Sequence, residues 1–276
     1  MAYAFEREEP VQAAVLRIMH EQLSRAREQL TDPASPPEER VHDARKRFKE
    51  TRALLRMVRE PLGAQFAIEN VAFRDAGRDL AAVRDADAVL EALERLELSR
   101  WVRARVKRAL EMNRVHAPLD ELIANTLQQL SVAEARLAAW PSLEDSFDTL
   151  ANGLRRTYRD GRRSMKTARS AEELHEWRKH VKTHWYHAQL LRHIWPSVMK
   201  PYTSELDDLS HFLGDHHDLH VLAESAVRSP SLRKAIAARQ KELERDAANL
   251  GARIFAERPD AWLARMRKYW NAWRAH

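Results

Sequence analysis

The chain has 276 residues, 44% of them hydrophobic, with no cysteine, only 6 glycines and a formal net charge of +6. That length supports one substantial core or two modest ones, and the missing cysteines exclude disulfides, thiolate catalysis and Cys-ligated metals. A composition dominated by Ala, Leu, Arg and Glu, without β-patterned runs, predicts an all-α fold, and no run approaches the roughly 18 apolar residues that a membrane span needs. The opening MAYAFEREEP is charged and lacks the apolar stretch of a secretory signal, which fits a cytoplasmic protein.

In chain order, residues 6–30 read as a first helix with Val11, Val15, Ile18, Met19 and Leu23 inward. Ser35-Pro36-Pro37-Glu38-Glu39 is a helix start, with a cap candidate, early prolines and early acids. It opens a basic helix whose centre is 41–59, stopped by Pro61 and Gly63. A third helix covers about 64–82, with Arg74 and Arg78 four apart on one face. A fourth runs from Asp85 to about 96, and Ser99 opens another carrying Arg100, Arg103, Arg105, Lys107 and Arg108. Pro118 starts the next, from Leu119 to Ala138. Trp140-Pro141 is the best division, giving halves 1–140 and 141–276. Ser142 and Asp145 can cap a helix from Leu143 to about Met165, with Arg155, Tyr158 and Arg162 on one stripe. Ser170 with Glu173 has capping-box spacing ahead of a second basic helix, 174–192. A helix over 199–213 is expected to break at Gly214, with another from Asp218 to about 226. Ser229-Pro230 starts a long helix to about 256. Pro259 opens a last one whose Trp262, Met266, Tyr269, Trp270 and Trp273 read as packing.

Two stretches repeat. Val41 to Arg59 (VHDARKRFKETRALLRMVR) returns, changed, at Leu174 to Arg192 (LHEWRKHVKTHWYHAQLLR). His42 matches His175, Arg45 matches Arg178, Lys46 matches Lys179 and Lys49 matches Lys182, every pair 133 apart. Leu80–Leu90 falls on Leu213–Ala223 at the same offset, so Asp85 meets Asp218. Two blocks sharing one offset suggest internal duplication.

At roughly 100° per residue, His42, Arg45, Lys46, Lys49, Arg52 and Arg56 fall on one side of the first helix, opposite Ala44, Phe48, Leu54, Leu55 and Val58. In the second copy His175, Arg178, Lys179 and Lys182 share a side with Trp185, Tyr186 and Gln189. A solvated helix face normally interleaves acids at i,i+4. No acid is expected on either of these faces, and the His-x-x-Arg-Lys-x-x-Lys order is kept twice, so both read as an anion site rather than a solvated surface. The charge is concentrated there. Windows 41–59 and 155–192 carry +5 and +7, leaving −6 for the rest of the chain.

The doubled motif resembles the signature of the CHAD family, the conserved histidine α-helical domain. The mark is a His followed by spaced Arg and Lys in each half, with a later Leu-Gly-x-x-x-Asp or Arg-Asp-x-Asp block. Here those blocks are Leu213-Gly214 with Asp218, and Arg84-Asp85-Ala86-Asp87. The likeness covers nearly the whole chain. It implies two helical bundles related by a pseudo-two-fold axis with a basic channel between them, a non-enzymatic role in binding inorganic polyphosphate, and association with polyphosphate granules. Some members of the family are fused to a CYTH triphosphatase domain, whose Glu-x-Glu-x-Lys motif is not found here. The second copy departs from the first where Trp185 and Gln189 replace Arg52 and Arg56. The expected phosphate ligands are His42, Arg45, Lys46, Lys49, Arg52, Arg56, Arg74, Arg78, Arg155, Arg162, His175, Arg178, Lys179 and Lys182. Arg offers a planar fork and Lys a mobile point charge. For His42 and His175 two readings stand: donation to a phosphate oxygen, or a structural bond to Asp85 or Asp218.

Two rival functions have sequence support. The histidines crowd into the second half, and Asp215-His216-His217-Asp218 mimics the core of an HD-type metal phosphohydrolase, which needs His and Asp from several helices converging on divalent ions. The first half has no equivalent His-Asp pair, so neither a metal nor a cofactor is expected. A nucleic-acid binder would interleave aromatics with the basic residues for base stacking. Only Trp185 and Tyr186 do so.

Overall fold

The computed structural model describes residues 3–80, 85–112, 118–224 and 229–275, and for 85–88 the backbone alone. Among these residues there are twelve helices and no strand: α1 Val11–Thr31, α2 Pro37–Met57, α3 Arg59–Leu62, α4 Ala64–Asp79, α5 Asp85–Glu94, α6 Arg100–Met112, α7 Leu119–Leu137, α8 Asp148–Thr167, α9 Ala171–Leu190, α10 Pro196–Glu224, α11 Pro230–Ile254 and α12 Pro259–Ala275. Two helices have counterparts at the offset of the sequence repeat. Shifted by 133 residues, α2 falls on 170–190, against the observed Ala171–Leu190 of α9, and α1 likewise falls on α8.

Local chemistry sets most helix ends, though not always with the expected residues. Ser170 caps α9 in a full capping box with Glu173. Ser35 does not cap α2; its hydroxyl donates to Asp32 instead, and Pro36 and Pro37 open the helix with their fixed φ. Ser142 and Asp145 do not start α8 either. Asp145 accepts from the backbone N of Val11 at 3.0 Å, and Ser142 donates to Gln12, so both serve the start of α1 across the molecule. The helix α8 accordingly begins at Asp148, and α1 begins at Val11 rather than near residue 6.

The core is continuous across the sequence division at 140. One hydrophobic cluster takes Leu23, Phe48 and Leu54 from the first half and Tyr158, Val181 and Trp262 from the second. A smaller one joins Leu93 and Val106 to Leu219, Leu222 and Ile236. Each fully buried leucine contributes roughly 1.5–3 kcal/mol. The N-terminal segment is tied in as well: Phe5 donates its N–H to Leu190 O, and Tyr3 donates its hydroxyl to Glu50 O. Where α8 crosses the end of α2 only glycine fits, because a Cβ at Gly153 would lie 2.1 Å from Met57 O. A fully buried Glu69 on α4 takes both Nε and Nη2 of Arg136 from α7, at 2.8 and 2.7 Å, so its charge is paired rather than isolated. No described helix is long and apolar enough to cross a membrane.

The long helix α10 corrects one expectation. Gly214 does not break it; the helix runs unbroken from Pro196 to Glu224.

A cationic cleft between α2 and α9

The second basic helix packs on the first, and the two cationic faces open onto one cleft of about 550 Å³. Its lining includes eight cationic side chains, Lys49, Arg52 and Arg56 of α2, Arg74 of α4, Arg95 of α5, and Arg178, Lys179 and Lys182 of α9, against three acids, Glu91, Asp215 and Asp218. Both halves of the chain therefore contribute to one site. The cations press on one another. Burial, with Arg56 and Arg74 nearby, pushes the Arg52 guanidinium down to about 10, and burial lowers Arg56 as well. Both keep their charge at neutral pH, at a cost that an incoming anion would relieve.

The two arginines of α2 that line the cleft donate to neutral partners. Arg52 Nε donates to Asn70 Oδ1 at 3.2 Å, and Arg56 Nη1 donates to Thr183 Oγ1 of α9 at 3.2 Å. On α9 the expectation of an acid-free face fails. Lys179 pairs with Glu176 one turn back, at 2.6 Å. Lys182 reaches Asp207 of α10 at 3.5 Å, and its ammonium also sits 3.6 Å from the centre of the Trp185 ring. Burial still lowers Lys182, and the charges of Arg178 and Lys46 add to that. Arg178 lies against Gly214: a Cβ there would stand 3.3 Å from its Nε, so the missing side chain leaves room for the guanidinium across α10. Asp218, one turn on from Gly214, feels the Arg178 charge, although burial raises its carboxyl overall.

The remaining sequence candidates are spread more widely. His42 and Arg45 are half-buried and Lys46 exposed, on the turns of α2 ahead of the residues that line the cleft. His175 is half-buried, its ring centre 3.9 Å from that of His217, and burial together with Lys179 and Arg178 holds its pKa below the ordinary histidine value. Its Nδ1 is shielded from solvent and makes no hydrogen bond among the described residues, so that nitrogen is not tied to Asp218. The side chain of Asp85, like all of Arg84, lies outside the described residues. Arg74 and Arg78 both pair with Asp75, and only Arg74 lines the cleft. Arg155 and Arg162 are not brought to it. Arg155 pairs with Asp260 at the start of α12, and Arg162 donates to Phe255 O. Tyr158 between them is buried, stacked on Trp262 at 4.7 Å.

The histidine-rich segment divides among separate partners. Asp215 pairs with Arg95, His216 bonds Glu244 of α11 at 3.1 Å, and His217 faces His175. Among the described residues no group of three or more His, Asp or Glu is arranged to hold a metal ion. His184 and His187, on the back of α9, are fully buried. Their Nε2 atoms bond Tyr202 Oη at 2.7 Å and Ala53 O at 2.8 Å, and burial lowers their pKa to about 3 and about 4.

Arg95, Glu91 and Asp215 complete the cleft, and none of them is a ligand candidate by sequence. Arg95 and Glu91 carry no local signal, since α5 reads as an ordinary amphipathic helix. The weak trace of Asp215 is its place beside Asp218 in the repeated block.

Comparison with known proteins agrees with this architecture. The profile of the CHAD domain matches residues 14–227. The crystal structure of the CHAD domain from the plant Ricinus communis superposes with a TM-score of 0.59 at 17% sequence identity, covering 99% of this chain and 95% of that one. No curated protein sequence matches the chain.

Proposed function

The chain belongs to the CHAD family, and on that premise we propose that it is a non-catalytic binding module for inorganic polyphosphate, taken up along the cleft between α2 and α9. The observation that carries the reading is the convergence of eight cations from four helices onto one open cleft against three acids. A linear polyphosphate has a charge on every phosphate unit, and consecutive units are joined by a single oxygen. It can therefore meet Arg52 and Arg56 on one wall and Arg178 and Lys182 on the other at once. Arginines supply bidentate contacts, and lysines supply point charges that follow the chain. The fall of α1 and α2 onto α8 and α9 at an offset of 133 residues supports reading the two halves as a duplicated unit, with the cleft as the basic channel between them. A granule of polyphosphate would be met by the same face, in the cytoplasm.

Two observations favour this over the rivals. Lys182 lies over one face of the Trp185 ring, where it competes with a stacking nucleobase, and Tyr186 is buried. Asp215, His216 and His217 turn to three different partners, so they do not converge as a hydrolase metal site requires.

The test is a titration with long-chain polyphosphate at about 50 and about 200 mM salt, with released phosphate measured in the presence of Mg²⁺ or Mn²⁺. The proposal expects tight binding that weakens on the order of a thousandfold between the two salts, by analogy with proteins that make six or more contacts to nucleic-acid phosphates, and no phosphate release. Salt-insensitive binding, or steady phosphate release, would reject it.

A further inference from the structure

On α10, Asp207, His211, Gly214, Asp215 and Asp218 fall within an arc of about 100° at helical spacing. That arc faces the cleft, where all but Asp207 belong to the lining. Its carboxylates are set against cations of other helices. Asp207 Oδ1 is 3.5 Å from Lys182 Nζ of α9, and Asp215 Oδ1 is 2.6 Å from Arg95 Nη1 of α5. Asp218 lies in the field of both Arg178 and Arg95. A solvated helix relieves its charge by pairing along itself at i,i+4; Asp207 has one such neighbour, His211 at 3.8 Å, but the pairs with Lys182 and Arg95 run between helices and into the site. A cleft that only had to attract anions would carry no such acids.

We infer that the carboxylates of α10 act as an internal counter-anion, which occupies Arg95, Arg178 and Lys182 until a ligand of higher charge density displaces it, and so decides which polyanions the cleft accepts. The inference rests on the polyphosphate reading and adds to it the residues that set selectivity. Displacing the three carboxylates costs every ligand the same. The gain grows with the number of charges a ligand places in the cleft. Single-stranded nucleic acid separates its phosphates by a sugar, and inorganic polyphosphate does not, so the latter brings more charges into the same length and clears the threshold more easily. Specificity then comes from a repulsive element placed inside an attractive site.

The experiment compares Asp207→Asn, Asp215→Asn and Asp218→Asn, singly and together, with Asp246→Asn as a control. Asp246 sits on α11 beside Arg245 and outside the cleft, so its variant adds the same formal charge elsewhere. Dissociation constants are measured for long-chain polyphosphate and for single-stranded DNA of equal total charge, at one salt concentration. Melting temperatures confirm that each variant is folded. Each cleft variant is expected to tighten DNA more than polyphosphate, lowering the preference by about threefold, with the triple variant lowest and the control unchanged. Preferences that stay with the control, or weaker DNA binding by the cleft variants, overturn the inference. If the wild-type protein fails to bind polyphosphate, the function proposed above falls by itself. Gained binding of either polyanion by the triple variant would then still support the internal counter-anion, and no gain would overturn it.

Discussion

The arginines of α2 that reach the cleft are held by neutral partners, Asn70 and Thr183, whereas the cations of α9 stand against carboxylates, Lys179 on Glu176 and Lys182 on Asp207. The two helices share an order of His, Arg and Lys, yet their charges are in different states. On α2 burial lowers both Arg52 and Arg56, and at Arg52 the like charges of Arg56 and Arg74 come ahead of the nearby carboxylate, Asp75. On α9 compensation comes from Asp207 of the adjoining α10 at Lys182, and from Glu176 of α9 itself at Lys179. A repeated motif therefore fixes where cations stand and not how available they are, because availability depends on the partners around each one, several of which come from the helix packed alongside. α2 lies against α4, which brings Arg74 to the cleft, and α9 lies against α10, which brings Asp215 and Asp218.

The contrast can be broken most strongly by reversing charge on the α2 side, where, among the described residues, no carboxylate is hydrogen-bonded to Arg52 or Arg56. Arg52→Glu should weaken polyphosphate binding by about a hundredfold, since it removes a charge-assisted contact and adds a repulsive one. Lys182→Glu, already next to Asp207, should cost a smaller factor. Equal losses at the two positions would erase the distinction between the helices. Both are measured by titration of fluorescently labelled polyphosphate.

The front and back of α9 separate next. His187→Ala removes a buried ring and its hydrogen bond to Ala53 O, and should destabilise the fold by about 3 kcal/mol, chiefly through the cavity it leaves. In the folded protein it should leave polyphosphate affinity within about twofold. Chemical denaturation and the same titration check the pair of outcomes; a large loss of affinity in folded protein would tie the back of the helix to the site.

Acidity probes the same back face. His184 and His187 are buried neutral, with folded pKa values of about 3 and about 4 against an ordinary 6.5. The unfolded chain takes up their protons first. Stability is therefore complete above pH 6.5 and lost as pH falls from there toward about 4, by up to about 1.4 kcal/mol per pH unit for each histidine. Thermal melts between pH 7.5 and 5 should fall steeply below 6.5. A flat profile would mean that these rings accept protons in the folded state.

The smallest effect lies at the helix starts. Ser170→Ala should cost about 1 kcal/mol by removing the capping box of α9. Ser35→Ala should cost much less, because Ser35 makes no cap bond to α2. Denaturant midpoints of the two variants distinguish them.

The all-helical fold, and most helix spans to within a few residues, were legible in the sequence, because apolar periodicity and proline-led starts are local signals. Three kinds of feature were not. Asp145 and Ser142 sit at cap spacing for α8 but serve α1, a choice made by tertiary contact. Gly214 looks like a helix breaker in isolation; in the structure its lack of a side chain makes room for Arg178, and neighbouring turns keep α10 helical. The stripe Arg155, Tyr158, Arg162 has the same spacing as the stripes that line the cleft, yet it faces α12 and the end of α11. Helical spacing says which residues share a face and is silent on what that face meets. For the same reason the acids of α10 and Arg95 of α5 could not be assigned to the site from their own surroundings in the chain.

The most direct measurement is a crystal structure of the protein with medium-chain polyphosphate. The account predicts continuous phosphate density in the cleft, touching Arg52 and Arg56 of α2 together with Arg178 and Lys182 of α9, and Asp207 and Asp215 turned away from Lys182 and Arg95. Phosphate confined to one helix, or seated on the exposed basic face of α6 with the cleft pairs intact, would contradict it.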